Sequence, residues 1–558
     1  MKRRGFLTKG ARAAAGVALA PALRVEAAPA FDTVVRGGTV LDGTGAAGFR
    51  ADLGIVGDRI AAVGDIPAEQ GRRAITADGL SVCPGFVDIH THSDGDILVY
   101  PTADSRVRQG VTTEVTGNCG SSAAPLVGVG AEERRTRYLE RDQLQAAWSD
   151  VASYCAQWEK TRCSINHALL LGQGTLRANA IGVVNRPLSS EEHAAVLRAT
   201  EEGMDQGAFG LSTGLQYTPG RFTPREEIVS MARVVARYGG LYATHMRNED
   251  ATLLEAVGEA IAIGREAQLR VEVSHLKAAG QVNWHKQRGA LDLIEAARAS
   301  GVEVLADVYP YTAYSTGLSI LLEDWALDGG RAAMLGRLRD PAQRARIRGE
   351  VDANVRAEPG GYDLIVIAGV EGERNRAAIG RDLKAIAADW NVEPVDALLR
   401  LFDEENGLVP FIGHAMSEAN VDLLLAHPLV MVGSDGSSMA PVGRAASTRP
   451  HPRSYGCFVR VLGHYARDRK VLDLPTAVRK MTSLPADQVG LRERGRIARG
   501  MKADLVVFDP ATVRDEASFG DPHRYATGIA HVLVNGEPVV EQGRHTGARP
   551  GRLLRRRA

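Results

Sequence analysis

Between Cys83 and Gly436 the chain alternates short apolar runs, each stopping at a turn, with amphipathic stretches. The runs read "CPGFVDIHTH", "VTTEVTGNCG", "SINHALLLGQG", "GAFGLSTGL", "GGLYATHMR", "RVEVSHLK", "VEVLADVYPY" and "PLVMVGSDG". Most gaps carry helical spacing, as in "REEIVSMARVVARYG" and "LLEAVGEAIAIGREA". Eight strands alternating with helices is the pattern of a closed (β/α)8 barrel. The doubly wound alternative lacks a GxGxxG turn after a first strand. Roughly residues 316–410, between the seventh and eighth runs, are too many for one helix. They hold the charged helical stretch "RAAMLGRLRDPAQRARIRGEVDANV" and a strand-like "LIVIAGV", which predicts an insertion over the barrel mouth.

Val/Ile-rich segments broken by Gly and Asp turns flank this core on both sides, from "FDTVVRGGTV" onward and again from "ADLVVFDP" to "VLVNGEPVV". They predict one small β-sandwich domain assembled from residues 28–84 and 487–558, around a barrel of residues 85–486. The chain ends in the basic "GRLLRRRA", read as a solvated terminus.

The N-terminus carries a different signal. "MKRRGFLTKG" precedes a weakly apolar, Ala-rich stretch and then "VEA", whose small residues suit signal cleavage. Arg3 and Arg4, followed by Phe6 and Leu7, resemble a twin-arginine export signal. Residues 1–27 are therefore expected to direct export to the periplasm or beyond. The apolar part is too short to span a bilayer, so no stable membrane anchor is expected. Lys plus Arg and Asp plus Glu each number 67, which gives no reason to expect a nucleic-acid partner. Without the leader, which holds six cations and one anion, 61 basic and 66 acidic residues remain. The five cysteines are few and odd in number, so no disulfide framework is indicated, although Cys155 and Cys163 lie near enough in sequence to pair. Nothing in the sequence sets the oligomeric state.

In such barrels the chemistry sits where strands end at the open mouth. His90 and His92 end the first run, and residues two apart on a strand face the same way, with Asp88 behind them. Cys119 ends the second run, His245 the fifth, His275 the sixth and Asp435 the eighth. Singly, each has an ordinary reading: core histidines, a small buried thiol, a turn aspartate. Together, in strand phase, six residues of metal-ligand type on five strand ends predict a metal centre. Imidazole, thiolate and carboxylate suit Zn²⁺, which with an open position lowers its water's pKa to about 7. An aspartate beside that water can take its proton and later pass it to a leaving group. That set hydrolyses an amide or related C–N bond. A serine nucleophile is set aside because no GxSxG elbow occurs at a strand-to-helix turn. His167 and His414 follow no ligand logic and are read as structural.

"GFVDIHTH" with a strand-eight "SD" resembles the amidohydrolase superfamily of metal-dependent barrel hydrolases. More narrowly, "QGVTTEVTGNCGSSAAPL", "GLSTGLQYTPGRF", "YATHMRNE", "VSHLKAAG", "DVYPYTA" and "HPRSYG" resemble N-acyl-D-amino-acid deacylases across nearly the whole mature chain. The resemblance implies a zinc held tightly by Cys119, His245 and His275, a weaker adjacent position at His90 and His92, and Asp435 as general base and acid. It implies a small-molecule substrate whose free carboxylate meets Lys277, Tyr309 and Arg453, with Arg444 or Arg449 as alternatives to Arg453. The implied activity is hydrolysis of N-acyl-D-amino acids. The alternatives are a dipeptidase for C-terminal D-residues, a hydantoinase- or dihydroorotase-like cyclic amidase, and a catalytically silent binding barrel. A basic carboxylate clamp favours an acyclic substrate, and a silent barrel would need none of the ligands.

Overall fold

The computed structural model describes residues 30–556, so the leader at residues 1–27 lies outside the described residues. All eight apolar runs become parallel strands of one sheet. They are β1 (Phe86–Asp88), β2 (Val111–Thr116), β3 (Asn166–Gly172), β4 (Gly210–Gly214), β5 (Leu241–His245), β6 (Arg270–Val273), β7 (Val304–Val308) and β8 (Val430–Val432). Each pairs with its neighbours in chain order, and a parallel bridge between Thr91 and Gly436 joins the first strand's end to the eighth's. The ring is closed there, as a (β/α)8 barrel requires. Val87, Val115, Ala168, Leu170, Leu305 and Met431 fill its floor as one buried cluster.

The outer layer follows from the helical spacing. In the helix Arg225–Arg237, Ile228, Met231, Ala232 and Val235 recur at i, i+3, i+4 and i+7, and all four are buried. Fully burying a side chain such as Ile228 contributes about 1.5–3 kcal/mol. Glu226 and Glu227 sit in the first turn, where the helix dipole favours negative charge.

Both flanks meet in two further sheets. Ser81–Pro84 lies between Leu505–Phe508, antiparallel, and Thr39–Val40, parallel, inside a seven-stranded sheet drawn from both ends of the chain. A four-stranded sheet around Phe31–Arg36 packs on it, and Val35, Leu53, Ile55, Val82, Leu505 and Leu533 share one core. That is a β-sandwich.

The segment between β7 and β8 folds on a three-stranded antiparallel sheet of Tyr314–Gly317, Pro410–Gly413 and Ile365–Ile367. The charged stretch breaks into two helices, Gly330–Arg339 and Pro341–Ala357. Pro341 cannot continue the first helix but suits the first position of the second, and Asp340 caps it by accepting from the Gln343 amide at 2.9 Å.

One expectation needs correcting, and one open question is answered. The backbone of the basic C-terminal tail is docked on the barrel rather than loose, while the Arg552 and Arg555 side chains stay half exposed. The His167 amide donates to the Arg552 carbonyl, and the Leu554 amide to the His167 carbonyl, beside the start of β3. Arg552 pairs with Asp58 and Arg555 with Glu159, while Arg556 donates to the Tyr238 carbonyl. The described part of the tail thereby covers the barrel end opposite the mouth, with Arg552 and Arg555 paired to carboxylates far away in sequence. Cys155 and Cys163 are both buried and unbridged, as are the other three cysteines. Cys155 lies in the helix Val151–Thr161 and Cys163 beyond its end, too far along the helix axis for the reach of a disulfide. No helix among the described residues is long and apolar enough to cross a membrane.

Candidate metal centre

The six ligand-type residues converge at the mouth of the barrel, and backbone bends aim them. Three of them, Cys119 (φ 49°), His275 (φ 35°) and Asp435 (φ 51°), occupy the left-handed region that side-chain-bearing residues avoid. Each such residue costs about 1–3 kcal/mol, which the surrounding structure must offset, and such residues collect at functional sites. The bend at "TGNCG" has little room. A Cβ on Gly117 would lie 2.0 Å from the Leu170 carbonyl oxygen, and one on Gly120 would lie 2.6 Å from the Gly214 amide. Both glycines have positive φ as well, so "TGNCG" can place Cys119 here only with glycine at those two positions.

Between β1 and β8 the backbone zips the ligands together. The Asp435 amide donates to the His90 carbonyl and the His92 amide to the Gly436 carbonyl, each at 2.8 Å. Asp88, expected to face the metal side behind the histidines, instead accepts from the Ser434 amide at 2.9 Å and pairs with the buried Arg106. Its part is to tie the two strand ends.

The donor atoms form two adjoining groups that share His90. Cys119 Sγ lies 3.4 Å from His90 Nε2 and 3.4 Å from His275 Nε2, with His245 Nδ1 at 3.9 Å. Asp435 Oδ1 lies 2.9 Å from His92 Nε2 and 3.7 Å from His90 Nε2. His90, Cys119 and His275 qualify as one metal-holding set, and His90, His92 and Asp435 as another. Cys119 is thus as close to His90 as to His275, and the two positions are contiguous.

Protonation states fit a cation. Burial pushes the imidazoles of His245 and His275 well below the usual histidine range, so both rings are neutral, the form a metal takes as ligand. Burial, reinforced by Asp435 and Glu249, pushes the Cys119 thiol well up, so its thiolate needs a positive ion beside it. Burial acts to raise Asp435, but Arg453 foremost, then the His92 hydrogen bond, hold its carboxyl well below the usual carboxylate range. Arg453 supplies this through a 2.8 Å pair to Asp435 Oδ2.

Several residues around these ligands were not singled out from sequence. Glu249 Oε1 lies 2.9 Å from His275 Nδ1 and 2.6 Å from Lys277 Nζ. With Nδ1–H donating to that carboxylate, His275 turns its Nε2 lone pair toward Cys119. Gln216 Oε1 lies 2.8 Å from His245 Nε2, and Asp307 Oδ2 lies 3.4 Å from His90 Nδ1. The one signal available for Glu249 was its place in "HMRNE", four residues after His245.

Of the residues expected to meet a substrate carboxylate, Lys277 and Tyr309 line a cavity of about 340 Å³ that also holds His245, His275 and Asp435. Tyr309 is 1% exposed and its hydroxyl has no hydrogen-bond partner. The Arg453 guanidinium lies 4.9 Å from the centre of the Tyr309 ring. Arg453 lines the adjoining cavity beside His92 and Cys119 and pairs with Asp435, whereas Arg444 pairs with Asp142 and neither it nor Arg449 lines either cavity. His167 is buried among Thr116, Tyr154 and Glu114, away from the ligands.

Known proteins share this architecture and more. Residues 73–540 match the amidohydrolase family. A D-aminoacylase of Alcaligenes xylosoxydans xylosoxydans is 39% identical, over 95% of this chain and 98% of that one. A solved D-aminoacylase structure concerned with a binuclear metal centre, one-metal activation and second-metal attenuation superposes with a TM-score of 0.80. It is 37% identical and covers 94% of this chain and 100% of its own. A solved N-acyl-D-glutamate deacylase of Bordetella bronchiseptica also superposes with a TM-score of 0.80. It is complexed with zinc and a phosphonate mimic of the tetrahedral intermediate, and is 36% identical over 94% of this chain and 99% of that one.

Proposed function

The chain belongs to the amidohydrolase family, and within it we propose that this protein is a zinc-dependent N-acyl-D-amino-acid deacylase, releasing a carboxylate and a free D-amino acid. One observation carries the reading. A cysteine, four histidines and a strand-eight aspartate close around one point, in a chain whose relatives over nearly full length are D-aminoacylase and N-acyl-D-glutamate deacylase.

Cys119, His245 and His275 would hold the tighter zinc, with His90 and His92 beside it. Bound there, zinc supplies a Lewis acid for the amide carbonyl and a water acidified to about pKa 7. The remaining work falls to the protein. Asp435, kept ionised by Arg453 and His92, accepts the proton of the attacking water. It then delivers that proton to the nitrogen as the C–N bond breaks, so the D-amino acid leaves as a neutral amine. Tyr309, with its free hydroxyl, and Arg453, stacked on the Tyr309 ring, receive the substrate's carboxylate, since a planar guanidinium matches it with two donors. Lys277 stands at the same cavity but is already paired to Glu249, which makes it a contributor of positive field and, through Glu249, of order around His275. The reading is tested by hydrolysis of matched N-acetyl-D- and N-acetyl-L-amino acids before and after zinc removal.

Export is part of the same proposal. "MKRRGFL" supports passage by a twin-arginine route, which carries folded proteins and suits an enzyme that takes up its metal in the cytosol. Arg3→Lys with Arg4→Lys should hold the precursor in the cytosol on fractionation. Undiminished appearance of processed protein in the periplasm would remove this part.

A further inference from the structure

Two cavities meet at the metal centre and carry opposite charge. The outer one, of about 570 Å³, is lined by His92 and Cys119 together with Arg134, Arg137 and Arg453. The inner one holds Tyr309 and Lys277 and runs under the insertion to Glu358. With the scissile amide at the metal and the carboxylate held between Tyr309 of the inner cavity and Arg453, which reaches Asp435 and Ser315 where the two cavities adjoin, the side chain of the amino-acid half is placed inward and the acyl half outward.

The inner cavity's cations are all spoken for. Arg221 pairs with Asp324, Arg247 with Glu259 and Lys277 with Glu249. Asp250 and Glu358 have no cation within ion-pair distance among the described residues. Glu358 is also the C-cap of the helix Pro341–Ala357, where the helix dipole repels negative charge. Burial pushes its carboxyl up to about 7. Both its oxygens lie 2.9 Å from the Tyr314 hydroxyl, which has one hydrogen to give, so the carboxylate keeps room for another donor. The partnerless hydroxyl of Tyr309, 1% exposed in the same cavity, marks the space as one a ligand completes.

Resting on the deacylase reading, we propose that the inner cavity takes the side chain of the D-amino acid and selects one ending in a cation, as in D-lysine, D-ornithine or D-arginine, with Glu358 as the specificity-determining residue. An acidic side chain there would face two carboxylates and a helix C-terminus. The chain would then differ in preference from the N-acyl-D-glutamate and N-acyl-D-aspartate deacylases it resembles.

The test compares kcat/KM of the zinc-loaded protein for N-acetyl-D-lysine, N-acetyl-D-norleucine and N-acetyl-D-glutamate. Lysine should exceed norleucine by about tenfold, the size of one charge-assisted hydrogen bond, with glutamate slowest. In Glu358→Gln the lysine-to-norleucine ratio, in which any general loss cancels, should fall to near one. Norleucine turned over without a preference for lysine, or a preference that survives Glu358→Gln, overturns the inference while the deacylase reading stands. If that variant does not fold, the wild-type comparison decides. Failure to hydrolyse any of the three overturns the deacylase reading, and this inference with it.

Discussion

Replacing Asp435 with Asn should cut kcat by about 10²–10⁴-fold while leaving zinc content nearly intact, because a positioned acid–base group contributes on that scale. The substitution preserves shape and, at φ 51°, suits the backbone, since asparagine tolerates the left-handed region as aspartate does. The amide can still lie beside His92, now 2.9 Å from Oδ1, but it cannot take a proton from water. His90, Cys119, His245 and His275 remain to hold the metal. The measurement is kcat beside metal content for the same preparation. Turnover within a few-fold of the unmodified protein would remove Asp435 from its role. Loss of zinc in step with activity would make it chiefly a ligand.

Cys119→Ala should lose both metal and activity. On the proposed reading the thiolate would neutralise part of the ion's charge in a buried site, and Sγ lies 3.4 Å from the Nε2 atoms of both His90 and His275. Zinc affinity should fall by at least the roughly 10–100-fold that losing even an outer partner of a ligand costs. Cys83→Ala, in the sandwich strand Ser81–Pro84 far from the centre, serves as the control and should keep its zinc. Full zinc retention by the Cys119 variant after dialysis would take this residue out of the site.

What the sequence made legible follows from how barrels bury their parts. The eight strands read as continuous apolar runs because each is covered on both faces, by the barrel interior and by the helices around it. His90, His92, Cys119, His245, His275 and Asp435 could be marked because strand phase and strand end are local properties. Glu249, Gln216 and Asp307 escaped notice because each gains its meaning from a histidine on another strand or loop, a relation set by tertiary packing. Glu358 belongs with them. It lies in the insertion, and only the fold carries it to the cavity wall beside Tyr314. The tail "GRLLRRRA" misled for the same reason, since Arg552 and Arg555 pair with Asp58 and Glu159 and the backbone bonds to β3, all far away in sequence. Asp88 was placed on the right strand, but its partner Arg106 comes from the segment after it.

The central claim is that this centre hydrolyses N-acyl-D-amino acids and needs zinc to do so. The direct measurement is initial rates on matched N-acetyl-D- and N-acetyl-L-amino acids, taken as purified, after chelation and after zinc is restored, with metal content followed throughout. Release of free D-amino acid alone, lost with the zinc and regained with it, is the predicted result. Equal hydrolysis of the L-series, or a rate that survives complete loss of metal, would contradict it.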